Sequence, residues 1–185
     1  SGTGLNQYEV DIPIEIQISL NQSGFPYKNI FFKSSPMVFD MNGDSLKEIY
    51  LGSDNGNLYG FNSFGEILDG FPFHVGADIR SSVAIGDLDN NGIDELIFGS
   101  NQGRLYILNY EGGQENSFYA PGIIWGTPAL ADLDNDEDLE IIFTTENSNN
   151  GDLYAIHHDG ELVEGFPVDI DEKMMVGPAV GDLEG

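Results

Sequence analysis

The chain has 185 residues, room for one ordinary domain or a few repeats and too little for a large multidomain enzyme. Its 6 basic against 32 acidic residues leave a formal charge of −26, which argues against a nucleic-acid binder and against docking on an anionic membrane, since no basic footprint exists to meet phosphate. With 40% hydrophobic and 11% aromatic residues the chain is still too apolar for an acidic disordered tail, so it folds, and cations are its natural partners.

Cysteine is absent, which removes disulfides, structural zinc fingers and thiol nucleophiles and leaves bound ions as the available staple. No apolar run reaches the length of a membrane span, so membrane insertion is not expected. The first residues, Ser1 to Gly4, resemble neither a signal peptide nor a native start, and the chain reads as a piece of a longer protein.

Along the chain, Val10, Ile12, Ile14, Ile16, Ile18 and Leu20 alternate with polar residues and Pro13, which predicts a half-buried strand at a sheet edge. Beyond it one pattern recurs. Acidic loops open at Asp40, Asp87 and Asp132, and a fourth starts at Asp182. Downstream come Gly56-Asn57-Leu58-Tyr59, Gly103-Arg104-Leu105-Tyr106 and Gly151-Asp152-Leu153-Tyr154. A Gly-Phe-Pro marker stands at Gly24, Gly70 and Gly165.

Within each unit the runs are short, β-branched or aromatic, and separated by Gly, Asn and Asp, the composition of strands and tight turns. In the first unit they fall at 36–39, 49–53, 58–62 and 67–75. Four strands in a period of about 45 residues is the signature of a propeller blade, and the apolar spacing of three and four that helical repeats need is missing. The expected fold is therefore all-β: a partial β-propeller of three complete four-stranded blades at 35–80, 81–125 and 126–176. Incomplete blades flank them, the last hairpin of one at 1–34 and the first strand of another at 177–185. A closed ring typically takes 4 to 8 blades, so open blade edges are available for self-association.

The loops read Asp40 to Glu48, Asp87 to Glu95 and Asp132 to Glu140, with oxygen-bearing side chains at positions 1, 3, 5 and 9 of every copy. Calcium seeks 6 to 8 oxygens from carboxylates, amides and backbone carbonyls, and a tight loop of alternating Asp and Asn supplies them. Position 7 (Leu46, Ile93, Asp138) varies in chemistry, as expected where only its carbonyl is used. An EF-hand would need a bidentate Glu at position 12, where this chain has Leu51, Phe98 and Phe143. Asp, Asn and Gly also make plain turns, but three copies in register favour an ion.

These residues resemble the calcium-binding FG-GAP (VCBS-type) repeats of integrin alpha-subunit propellers and bacterial surface proteins, over about residues 24–185. The small-residue lead-ins Ser34-Ser35-Pro36, Ser81-Ser82-Val83-Ala84, Gly126-Thr127-Pro128-Ala129 and Gly177-Pro178-Ala179 belong to the same likeness. The resemblance implies calcium held by Asp40, Asn42, Asp44 and Glu48, by Asp87, Asp89, Asn91 and Glu95, and by Asp132, Asp134, Asp136 and Glu140. The carbonyls of Leu46, Ile93 and Asp138 would complete the sets. Ser45 and Glu137 stand where the family pattern has Gly, a departure that predicts distorted first and third sites and makes the second, with Gly92, the most regular.

Three other features invite functional readings. His74, His157 and His158 do not recur between units and read as surface or strand-end residues. Tyr59, Tyr106 and Tyr154 recur at one position and predict packing between blades. The lone Trp125 reads as core packing, with a place near the propeller face as the alternative. No singular catalytic constellation stands outside the repeated loops. The reading is thus a calcium-binding segment of a secreted or cell-surface protein, serving adhesion through a protein or glycan ligand. The alternatives are the propeller portion of a secreted carbohydrate-active lyase or hydrolase, or an accessory spacer.

Overall fold

The structure is a computed structural model that describes residues 24–148 and 150–182. Among these residues there is no helix, and twelve strands form three four-stranded antiparallel sheets. The first sheet runs in order through β1 (Met37–Phe39), β2 (Glu48–Gly52), β3 (Asn57–Phe61) and β4 (Phe73–His74). The second contains β5 (Ala84–Gly86), β6 (Glu95–Gly99), β7 (Arg104–Leu108) and β8 (Gln114–Tyr119). The third contains β9 (Ala129–Ala131), β10 (Glu140–Asn147), β11 (Asn150–Ile156) and β12 (Val168–Ile170). Each sheet is a sequential meander left open at both edges, and together they make the partial propeller that the repeat length predicts.

The alternation of side chains along the middle strands explains how the sheets stack. Successive residues of a strand point to opposite faces, so a strand covered on both sides must be apolar throughout. In β6 all five residues are buried. Leu96 and Phe98 join Tyr106 and Leu108 in one cluster with Tyr50, Leu58 and Phe71 of the first sheet. Ile97 joins Leu105 and Ile107 in a second cluster with Ile141, Phe143, Tyr154 and Ile156 of the third. The core is therefore two inter-sheet layers, and the middle sheet contributes one face to each.

The recurrent tyrosines lie in these layers. Tyr106 stacks on Phe98 at 5.3 Å between ring centres and meets Phe73 of the first sheet edge-on at 5.8 Å. Tyr154 repeats the arrangement one sheet later, stacked on Phe143 at 5.1 Å and edge-on to Phe118 at 5.9 Å. Tyr59 packs against Tyr27 and Phe32, so the segment before the first sheet takes the place a preceding blade would fill.

The outer strand of the first sheet is shorter than the sequence pattern suggests. The run at 67–75 pairs in register only at Phe73 and His74, with Ile67 making a single bridge to Phe61. Between them Gly70 takes a left-handed φ of 81° and Pro72 has no N–H to donate, so the ladder cannot continue through this stretch. The strand expected over Val10 to Leu20 lies outside the described residues. Residues 177–182 carry no strand, and most of the loop opening at Asp182 is likewise outside them.

Candidate metal centres

The three acidic loops join the first and second strands of their sheets, and their backbones are alike. Positions 4 and 6 both take left-handed φ: Gly43 and Ser45 at 72°, Asn90 at 53° and Gly92 at 89°, Asn135 at 64° and Glu137 at 78°. This path turns amide groups inward, where the carboxylates accept from them. Asp40 accepts from the Ser45 N–H at 2.9 Å, Asp87 from Gly92 at 2.7 Å and Asp132 from Glu137 at 3.3 Å. Position 5 accepts from position 7 in the same way: Asp44 from Leu46, Asn91 from Ile93, Asp136 from Asp138. The side chains of Leu46 and Ile93 point to solvent.

Position 9 is the anchor. Glu48, Glu95 and Glu140 are the first residues of β2, β6 and β10 and are 4%, 4% and 0% exposed. A buried carboxylate needs a partner. Each accepts the N–H of position 2, from Met41 at 2.9 Å, Leu88 at 2.9 Å and Leu133 at 2.6 Å. One N–H does not neutralise a buried anion. Burial, with the charges of Glu115, Asp89 and Asp87, pushes Glu95 up to about 7 against the lowering effect of the Leu88 N–H.

In the second loop ligand atoms of Asp87, Asp89 and Glu95 lie within 4.8 Å of one another. In the third, Asp132, Asp134 and Asp136 converge as closely, and so do Asp134, Glu140 and His157. In the first, Asn42 stands at position 3, and among the described residues no trio of Asp, Glu or His reaches that spacing. There Asp40 Oδ1 is buried without a hydrogen-bond partner among the described residues. The all-oxygen trios of the second and third loops, and the orphaned buried oxygen of the first, fit a hard dication. Bound there, such an ion would offset the mutual repulsion of the carboxylates.

His157 is the residue that sequence reasoning set aside. It directly follows β11, where the other units have Asn62 and Asn109 directly after β3 and β7. Those two asparagines cap their own turns, accepting from Phe64 and Glu66 and from Glu111 and Gly113. His157 instead reaches Glu140, and Asp159 accepts from the Glu161 N–H. The shared sequence position carries that signal; a count of recurring histidines misses it. His158 lies 3.2 Å from Asp138, and His74 pairs with Asn57 across the β3–β4 ladder.

Residues 87–143, from the second loop into β10, match the family model of the FG-GAP-like repeat. The resemblance read from the loops holds over this segment. Two solved structures share the fold. The Vibrio cholerae biofilm matrix protein Bap1 superposes with a TM-score of 0.57 at 21% identity, covering 80% of this chain and 27% of that one. BBS1N, solved in complex with ARL6DN, superposes with a TM-score of 0.53 at 15% identity, covering 76% and 41%. The chain thus spans less than half of either. No curated protein matches it significantly. Among the described residues no helix is long and apolar enough to cross a membrane.

Proposed function

We propose that this chain is a calcium-stapled propeller segment of a secreted or cell-surface protein, that it serves adhesion by recognising a protein or glycan, and that it performs no catalysis itself. The calcium ligands are the side chains at positions 1, 3, 5 and 9 of each loop with the position 7 carbonyl. The blades are 35–80, 81–125 and 126–176. The observation that carries the reading is the second loop, where three carboxylates converge within 4.8 Å around a buried Glu95. Three such loops at the same end of consecutive sheets suit a stapling role, because each ties the start of a second strand to the end of a first. The loops contain no helix pair to open, so the ion stiffens the segment and does not switch it.

An extracellular setting is the one in which weak sites of this kind would fill, and it is favoured by analogy. Sites of extracellular modules bind calcium at about 10⁻⁴ to 10⁻³ M, a concentration met outside cells. Bap1 is described as a biofilm matrix protein and BBS1N is seen with a protein partner, which favours recognition as the role of such a fold here. The test is thermal melting with calcium or with chelator, alongside calorimetric titration. Calcium should raise the melting temperature, and Glu95→Gln should remove one binding event. An unchanged melt after chelation would overturn the staple.

A further inference from the structure

A cleft of about 440 Å³ lies between the first and second sheets. Its walls include Glu48 and Tyr50 from β2, Leu68 and Asp69 from the segment after β3, and Tyr110 and Glu111 from the turn between β7 and β8. Tyr50 distinguishes it from anything the repeat provides. The same position holds Ile97 in the second sheet and Ile142 in the third, both buried hydrocarbon. Tyr50 is 0% exposed, yet its hydroxyl has no hydrogen-bond partner among the described residues.

A hydroxyl left unpaired in the interior costs about 1 to 3 kcal/mol, and isoleucine would have avoided it. A group entering the cleft would supply the missing partner. The chemistry of the walls specifies that group. Glu48, Asp69 and Glu111 place three carboxylates around the cleft, and no Lys or Arg lines it. Leu68 and two tyrosine rings supply an apolar and aromatic wall. Carboxylates select a cation, and the wall selects a cation on a hydrocarbon stem. The acceptors come from three separate chain segments and not from one planar edge, which suits the three diverging donors of an ammonium better than the flat fork of a guanidinium.

We propose that this cleft is a docking site for the lysine side chain of a protein partner, with the ammonium received by Tyr50, Asp69 and Glu111 and the stem lying along Leu68 and Tyr110. The net charge of −26 draws such a partner in. The proposal deepens the protein-recognition half of the reading above. Met41, Asn42 and Glu48 of the calcium loop also line the cleft, so it is tested with the loops saturated and Glu48 held by the ion.

The probe is N-acetyl-lysine methylamide, titrated into the calcium-saturated chain and followed by amide chemical shifts. The norleucine and arginine counterparts serve as comparisons. Saturable shifts at Tyr50, Tyr110 and Glu111 are expected with lysine and not with norleucine. Tyr50→Phe should weaken binding roughly tenfold, and Glu111→Gln should weaken it a few-fold. Tyr50→Phe removes one unpartnered oxygen and keeps the ring, so its melting temperature should hold or rise. Equal binding to wild type and Tyr50→Phe, equal binding of norleucine, tighter binding of arginine, or no shift up to the solubility limit would each overturn the assignment. The calcium-dependent melt is unaffected by any of these results, so the staple stands or falls separately.

Discussion

His157 Nδ1 lies 3.1 Å from Oε1 of the fully buried Glu140, at the place where the other two units spend an asparagine on their own turn. A calcium ion that used this oxygen would have to displace the imidazole, which is a poor calcium ligand. The third loop should therefore bind calcium more weakly than the second. His157→Asn restores the residue of the sister units and should tighten the third site several-fold. Calorimetric titration of the variant checks this, and unchanged affinity would show that the contact does not compete.

Acidity should act on the calcium-free chain in an unusual direction. Folding raises Glu95 from its ordinary 4.5 to about 7, chiefly by burial. A raised carboxylate binds its proton more tightly in the folded state than in the unfolded one, so its contribution to stability is largest at low pH and falls as pH climbs from about 4.5 through 7. In chelator, the melting temperature should rise as pH is lowered from 8 toward 6. Glu95→Gln should flatten that slope.

Left-handed positions in the loops set a third expectation. Ser45 and Glu137 adopt φ of 72° and 78° at the position where the second loop has Gly92. Side chains in this region cost about 1 kcal/mol each. Ser45→Gly and Glu137→Gly should each stabilise the calcium-free chain by up to about that amount, less what glycine loses through the freer unfolded chain. Denaturant melts measure it, and Gly92→Ser should do the opposite.

Much of this arrangement is legible in the chain because propeller sheets depend on short-range alternation. The short β-branched and aromatic runs between Gly, Asn and Asp read as strands, and the repeated tyrosines read as packing, since both follow from period and composition alone. The loops are legible for the same reason, as their donors lie within nine residues of one another. What depends on distant segments is not. The shortening of β4 follows from where Gly70 and Pro72 interrupt a ladder. His157 reaches a site seventeen residues away because β10 and β11 are paired, and the cleft at Tyr50 exists only once the turn at Tyr110 is brought against the first sheet.

The stacking of sheets can be probed where a strand glycine lies directly against a buried side chain of the next connection. Gly99 ends β6, and a Cβ built there would sit 2.2 Å from Ile124 Cγ2, in the connection to the third sheet. Gly52 is its counterpart in β2, where the Cβ would meet Ile79 Cγ2 at 2.4 Å. Both isoleucines are fully buried in the inter-sheet layers, so neither can swing into solvent. Overpacking of a close-packed core costs typically 1–3 kcal/mol, and Gly99→Ala should destabilise by about that much. Gly181, with nothing within 4 Å, should accept alanine without measurable cost. Pairing Gly99→Ala with Ile124→Val should recover part of the loss, because the smaller side chain makes room for the added methyl. Denaturant melts of the two single variants and the double variant provide the coupling, and strict additivity would show that the strain is relieved elsewhere.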